Sequence, residues 1–139
     1  MNASHAFFEH TADVGIRADG RTLAELFVQM ARGVVELIAE DSALTPQEER
    51  AVSLTAEDAP SLLISWLNEL LFWFSADRFL PVAYDGLEVT GTTVRGCLRG
   101  ERFDPARHVQ GREVKAVTRH ALKVEARGGM WHGEVIVDI

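Results

Sequence analysis

The C-terminal residues VIVDI, 135–139, place two carboxylates next to each other. Alternation along a strand puts Asp138 on the side opposite to its neighbours Val137 and Ile139, so its side chain lies close to the α-carboxylate of Ile139. Like charges at a sheet end repel each other unless a cation or a hydrogen-bond donor lies between them. A frayed, solvated terminus is the simpler interpretation, and the spacing alone leaves both readings open.

Another carboxylate, Asp13, follows the apolar start of FFEHTADVG, residues 7–15. If the strand that contains residues 7–10 lies beside the C-terminal strand, Asp13, Asp138 and the Ile139 α-carboxylate converge as oxygen ligands. Hard cations such as Ca²⁺ and Mg²⁺ prefer shells of this kind. The sequence itself does not show the pairing of the two strands.

The histidines do not form a recognisable zinc site. His10 precedes Asp13 by three residues, but the chain has a single cysteine and neither an HExxH nor a CxxC motif. His120 is in phase with the apolar residues of its predicted strand, so we predict a core histidine with satisfied hydrogen bonds. His5 and His132 are predicted to lie at the surface.

The segment FDPARHVQG, residues 103–111, is predicted to be a polar loop that begins with a turn at Asp104 and Pro105. Its polar side chains are expected to fold it by hydrogen bonds. Lys115 follows in EVKAVTRH, and a lysine in such a position is ordinarily just solvated. The sequence contains no Gly-rich phosphate loop, Ser-His-Asp order or nucleophile elbow.

Two helices and several strands must position these residues. Thr22 and Glu25 form a capping-box pair ahead of an apolar 3.6-residue period, which predicts a helix of about 17 residues that reaches Ile38. A second helix, predicted to be central and mostly buried, follows Pro60, which suits a first helical position. Strands are predicted at 51–55, 82–90, 93–99, 114–125 and 131–139. The expected fold is one α+β domain over residues 1–139, with a mixed or antiparallel sheet.

Composition limits the function classes. The 139 residues carry a formal net charge of -7, which disfavours direct nucleic-acid binding. The longest apolar run, residues 70–74, is far shorter than the roughly 20 residues of a membrane span. The N-terminus lacks the features of a secretory signal, and one cysteine fits a reducing compartment. We therefore expect a cytoplasmic protein without a membrane association.

Five motifs in this order resemble the archease family over nearly the whole chain: FEHTADVGIRADG, RTLAELF, LLISWLNELLFWF, GERFDPARHVQGREVKAVTRH and VIVDI. Archease is a partner of the RtcB-type RNA ligase, which joins RNA ends bearing a 2′,3′-cyclic phosphate or 3′-phosphate to a 5′-hydroxyl, notably in tRNA splicing. The resemblance implies a protein that promotes guanylylation of the ligase's active-site histidine, allows multiple turnover and broadens the nucleotides used. It implies an activator rather than an enzyme.

The resemblance also implies roles for individual residues. The family's metal site falls on Asp13, Asp138 and the terminal Ile139, with Ca²⁺ as the ion and Mg²⁺ or Mn²⁺ as alternatives. The family's functionally important lysine falls on Lys115, for which we hypothesise contact with a phosphate or carboxylate at the ligase active site. Asp104 and His120 lie in matching motifs and are assigned supporting roles, Asp104 in shaping its loop and His120 in packing or orienting nearby groups.

Two other function classes stay open at the level of sequence. A stand-alone hydrolase could use an ion between Asp13 and Asp138 to activate water for attack on a phosphoester. A chaperone-like modulator of RNA-processing proteins would need no site of this kind. Neither class has a motif of its own in the sequence.

Overall fold

The computed structural model describes residues 2–10, 13–40 and 43–139, and for Glu9 and His10 only the backbone. Within these residues the chain forms two helices and eight strands. The order is β1 (Ser4–His10), β2 (Asp13–Gly20), α1 (Leu23–Ile38), β3 (Glu48–Thr55), α2 (Ala59–Asp77), β4 (Phe79–Ala83), β5 (Glu88–Val89), β6 (Thr93–Arg102), β7 (Ala116–Arg127) and β8 (Met130–Asp138). The predicted α+β class is confirmed.

The strands form two antiparallel sheets rather than one. The first has the order β1-β2-β8-β7, and the second has the order β3-β6-β4, with β5 also paired to β6. Both helices contribute to a single apolar cluster that includes side chains from both sheets. The Trp66 indole N–H on α2 donates to the Phe27 carbonyl on α1 over 2.9 Å, which joins the helices inside this cluster.

Helix α1 begins where its cap residues predict. The Thr22 side chain accepts from the backbone N–H of Glu25 over 3.1 Å, and the Glu25 carboxylate accepts from the N–H of Arg21 over 3.0 Å. These bonds satisfy backbone donors that the first turn of a helix leaves without partners. The apolar face of α1 packs on the first sheet with Leu26, Phe27 and related residues fully buried.

Helix α2 begins one residue earlier than the proline rule suggests. Asp58 is the cap, accepting from the N–H of Ser61 over 2.8 Å, so Pro60 is the second helical residue. Six residues of α2 are buried, but Phe72 is 63% exposed, so the prediction of a mostly buried helix fails on this side. Neither helix in the described part of the chain is long and apolar enough to span a bilayer.

The neighbour of the C-terminal strand is β2. The strand through residues 7–10 was the predicted neighbour, but this strand, β1, pairs with β2 on the side away from β8. Strand β2 pairs antiparallel with β8 in an unbroken register from Asp13 opposite Asp138 to Gly20 opposite Trp131. The second strand of the chain and its C-terminal strand therefore lie side by side in the centre of one sheet.

Strand β7 contains a large bulge that the alternating pattern did not predict. Thr118 lies opposite Ile136 and Lys123 opposite Glu134, so four residues of β7 oppose Val135 alone, and Ala121 has a left-handed φ of 54°. The bulge changes the phase of the strand, as bulges do. Before the bulge, Val117 lies opposite Val137 in the core, so the alternating set that contains Ala116 and Thr118 faces outward, contrary to the prediction. His120 lies in the bulge and is exposed, and the prediction of a core histidine is wrong.

The two histidines that were predicted to lie at the surface, His5 and His132, are partly buried and form side-chain contacts. His5 on β1 hydrogen-bonds Gln29 and Glu36 of α1, over 3.0 and 2.7 Å, and its side chain is 21% exposed. His132 forms a short contact with Asp19 and is 22% exposed. Both are half-buried residues that join neighbouring elements.

The Asn68 side chain of helix α2 holds the start of β7. The Asn68 amide donates to the Val117 carbonyl and accepts from the Val117 N–H, both over 3.2 Å. Strand β7 is at an edge of the first sheet, so these bonds satisfy backbone groups on its open side.

We predict that Asn68→Ala lowers the free energy of unfolding by about 1–3 kcal/mol, because the Val117 N–H and carbonyl lose their partners. Urea denaturation measures the change. Ser65→Ala, on an exposed position of the same helix, should change it by less than about 0.5 kcal/mol. Equal effects of the two substitutions would show that Asn68 does not anchor the strand.

Candidate metal centre and the residues around it

Asp13 and Asp138 are directly opposite each other at one end of the β2–β8 pair. The next residues along the strands, Val14 and Val137, are also paired and are buried in the core. Since side chains alternate along a strand, the two carboxylates lie on the outer face of the sheet, and both residues are half-buried. Directly opposed residues bring their Cβ atoms to about 4.5–5.5 Å.

This arrangement fits a hard cation. Two like charges in directly opposed positions destabilise a sheet, and a divalent ion between them removes the penalty. Among the residues that the structure describes, no group of three or more His, Cys, Asp and Glu side chains is arranged to hold a metal. The Asp13–Asp138 pair therefore needs further oxygen ligands from the Ile139 α-carboxylate, from water or from a partner.

The pair lies beside a covered part of the sheet. Phe8 on β1 is opposite Gly15, and a Cβ added to Gly15 would come within 2.2 Å of the Phe8 ring, so glycine is needed for this packing. The Arg17 guanidinium lies 4.8 Å from the Phe8 ring centre and bonds Glu134 over 2.7 Å. The aromatic ring and this ion pair cover the outer face behind the carboxylates.

The segment before β7 brings Lys115 to the same end. The backbone N–H of Lys115 donates to the Asp138 carbonyl over 2.8 Å. Upstream, Gly111 and Arg112 donate to the carbonyls of Ile38 and Leu37, over 2.8 and 2.7 Å. These carbonyls are among those that the C-terminus of a helix leaves without intrahelical partners. The end of α1 thus fixes the segment that carries Lys115, whose side chain is exposed.

Residues 103–111 form the predicted loop, and side chains fold it as expected. The Asp104 carboxylate accepts from the N–H of Ala106 over 3.0 Å, and the N–H of Asp104 donates to the ring of His108 over 2.8 Å. Arg107 lies 3.4 Å from the other Asp104 oxygen. The described contacts of Asp104 are therefore all within the loop and stabilise its conformation.

A buried carboxylate that the sequence analysis missed, Glu101, holds this loop from below. It is 4% exposed and accepts from Thr45, Gln47 and Arg107, and it contacts the His108 ring over 3.0 Å. Burial alone would raise the pKa of Glu101, but the hydrogen bonds from Arg107 and Thr45 outweigh it and lower the pKa to about 2. Its strand pattern gave no sign of this role, because one partner, Thr45, lies 56 positions away.

The structure brings together four of the six predicted site residues. Asp13, Asp138, Ile139 and the backbone of Lys115 meet at one end of the first sheet. Asp104 lies in the loop held by Glu101, and His120 lies in the bulge of β7, so neither joins the carboxylate pair in the strand register. Thr11 and Ala12 of the HTAD motif are outside the described residues, as are the side chains of Glu9 and His10.

Comparison with known proteins gives one consistent match. The model of the Archease protein family matches residues 5–139. The chain is 38% identical over 134 residues to protein archease of Sulfurisphaera tokodaii, covering 96% of both chains, and 39% identical over 134 residues to that of Methanopyrus kandleri, covering 94% of this chain and 96% of the other.

Solved structures share the fold. The solution structure of Protein 1598 from Methanobacterium thermoautotrophicum superposes with a TM-score of 0.83 at 34% identity, covering 98% of this chain and 99% of the other. The crystal structure of an archease, described as a possible chaperone, from Thermotoga maritima superposes with a TM-score of 0.71 at 23% identity, covering 95% of this chain and 94% of the other.

We predict that the Glu101 network makes stability sensitive to acid. Because the pKa of Glu101 is lowered on folding, its contribution is complete above the ordinary value of 4.5 and is lost as the pH falls toward about 2. Glu101→Gln should cost about 3 kcal/mol near neutral pH and should remove this part of the acid dependence. Urea titrations at a series of pH values measure both effects.

Glu57→Gln is the matched control, since Glu57 is exposed. It should leave the stability and the acid profile close to those of the wild type. A Glu101→Gln variant that keeps the full acid dependence of the wild type would exclude Glu101 as its source.

Proposed function

This chain belongs to the archease family, and on that premise we propose that it is a protein cofactor of an RtcB-type RNA ligase. In this proposal it promotes guanylylation of the ligase and multiple turnover, and it broadens the nucleotides that the ligase accepts. The observation that supports it best is the Asp13–Asp138 pair with the backbone of Lys115 bonded to Asp138. The chain supplies charge and position, and the ligase supplies the chemistry.

Asp13, Asp138 and the Ile139 α-carboxylate are the groups that would hold a divalent cation, with Ca²⁺ as the proposed ion and Mg²⁺ or Mn²⁺ as alternatives. When bound, such an ion supplies positive charge beside a transferring phosphate. The half-buried carboxylates are held by the core behind them, so they keep their separation without the partner. Guanylyl transfer depends mainly on positioning and charge stabilisation, which such a preformed pair can provide.

Lys115 is proposed to contact a phosphate or carboxylate at the ligase active site. Its ammonium is a compact point charge on a flexible stem, which suits an exposed position next to a fixed backbone. RNA contacts are left to the ligase, since the net charge of -7 opposes a phosphate backbone. The same acidity favours encounter with a basic RNA-binding surface.

We predict that Ca²⁺ stabilises the wild-type protein and not Asp138→Asn. Without divalent ions, the variant should be as stable as the wild type or more stable by about 0.5 kcal/mol, because one of two opposed like charges is removed. With Ca²⁺ in excess, only the wild type should gain Tm, since ligand binding stabilises the folded state. Thermal denaturation with and without Ca²⁺ measures both effects.

The control for this test is Asp85→Asn, at an aspartate that is 84% exposed and paired with Arg99 outside the proposed centre. It should show the same Ca²⁺ shift as the wild type. A Gly-Ser extension after Ile139 converts the α-carboxylate into an amide and should weaken the shift. Equal shifts in wild type and Asp138→Asn would place any Ca²⁺ site elsewhere.

We also predict that Asp13→Ala, Asp138→Ala and Lys115→Ala each reduce stimulation of ligase guanylylation by about tenfold or more, while the proteins stay folded. Labelled GTP and the host's own ligase provide the assay, and circular dichroism checks the fold. Wild-type stimulation by all three variants would reject the proposed centre. Hydrolysis of phosphoesters by this protein alone, lost in Asp138→Ala, would instead support an enzyme.

A further inference from the structure

An open groove of about 590 Å³ runs from Lys115 along the C-terminal half of α2. Its apolar floor is formed by Ile38 at the end of α1 and by Leu71 and Phe74 on α2. Positions 71, 74, 75 and 78 of α2 line it, which is one face of a helix at steps of three and four residues. The opposite wall is the segment 110–115 that the end of α1 holds in place.

Three cations line this groove: Arg78, Arg112 and Lys115. Within the described part of the chain, none of them forms an ion pair, and the one carboxylate of the lining is Glu113. Most other arginines do have carboxylate partners, namely Arg17, Arg21, Arg50, Arg99, Arg102, Arg107 and Arg127. In a protein with a net charge of -7, three cations without an ion pair among the described residues therefore line one groove.

Arg78 occupies a position that favours glycine. It caps α2 with a left-handed φ of 66°, and its N–H donates to the Phe74 carbonyl over 2.9 Å. A residue with a Cβ pays about 1–2 kcal/mol for this conformation. The Arg78 guanidinium lies 4.9 Å from the Phe74 ring centre, so an otherwise costly residue places a cation over the groove floor.

We propose that this groove binds an acidic segment of the partner ligase that also carries an apolar side chain. The inference rests on the proposed function and adds the surface by which the ligase is held. Carboxylates of the segment pair with Arg78 and Arg112, and the apolar side chain packs on Leu71 and Ile38. Because the Lys115 N–H donates to the Asp138 carbonyl, the groove begins at the same end of the first sheet as the proposed metal centre.

The lining favours a peptide over a nucleic acid. Single-stranded nucleic acids bind by stacking bases on open aromatic faces, but the one aromatic residue of the lining, Phe74, has Arg78 over its ring. The rest of the floor is aliphatic, which suits the apolar side chain of a peptide better than a base. Charge complementarity with an apolar contact is the usual chemistry of a protein interface.

Ligase binding tests the proposal directly. The double variant Arg78→Gln/Arg112→Gln should raise the Kd for the host's ligase by about tenfold or more at low ionic strength, and by less at high ionic strength. The control Arg95→Gln/Lys123→Gln removes the same charge from two exposed residues outside the groove and should leave the Kd within about twofold of the wild type. Calorimetry measures the Kd, and thermal denaturation confirms that both double variants are folded.

The outcomes separate this inference from the proposed function. At saturating concentration, Arg78→Gln/Arg112→Gln should still stimulate guanylylation, since Asp13, Asp138 and Lys115 are intact. If the wild type stimulates guanylylation but the groove and control variants have equal Kd values, the groove proposal is wrong. The proposed function is not affected by that result. If the wild type binds the ligase but does not stimulate guanylylation, the proposed function is wrong. The Kd values of the variants then still test whether the groove is the binding surface. No binding of the wild type overturns both.

A crosslink identifies the occupant. Ser75→Cys in a Cys97→Ser background, labelled with benzophenone maleimide, places a photoreactive group in the groove. The proposal expects a crosslink to an acidic segment of the ligase that contains an apolar residue. A crosslink to a basic ligase segment or to RNA, or no crosslink in the complex, overturns it.

Discussion

The antiparallel pairing of β2 with β8 is the constraint on which the site depends. It places Asp13 opposite Asp138 and, one residue further, Val14 opposite Val137 in the core. A shift of one residue in this register would separate the carboxylates and would turn the valines outward. The hydrophobic core therefore fixes the register, and the register fixes the two charges. The burial of apolar surface stabilises an arrangement that electrostatics alone opposes.

Around Lys115 and the groove, too, a structural requirement positions the residues of the proposed site. Helix α1 ends with carbonyls that need donors, and Gly111 and Arg112 provide them. A Cβ at Gly111 would lie 2.2 Å from the Leu37 carbonyl oxygen, so only glycine permits this approach. A requirement of helix termination thereby positions the segment that carries Lys115 and one wall of the groove. The proposed centre and the proposed docking surface share one support.

The parts of the structure that could be predicted are those set by residues close to each other in the sequence. Thr22 and the apolar period predicted α1, because cap and helix face are set by residues three and four apart. The convergence of Asp13 and Asp138 was proposed with the wrong neighbouring strand, since strand order is not a local property. The core face of β7 was assigned to the wrong alternating set, and His120 with it, because Val117 takes its place in the core opposite Val137, on another strand. Glu101 was missed because two of its partners, Thr45 and Gln47, come from a distant segment, and its own strand pattern is ordinary.

The most direct test of the central claim is a crystal structure of the protein grown with Mn²⁺, analysed by anomalous diffraction. The account predicts an anomalous peak between the carboxylates of Asp13 and Asp138, within coordination distance of both, and none in crystals of Asp138→Asn. A strong peak elsewhere on the molecule with none between these two residues would contradict it.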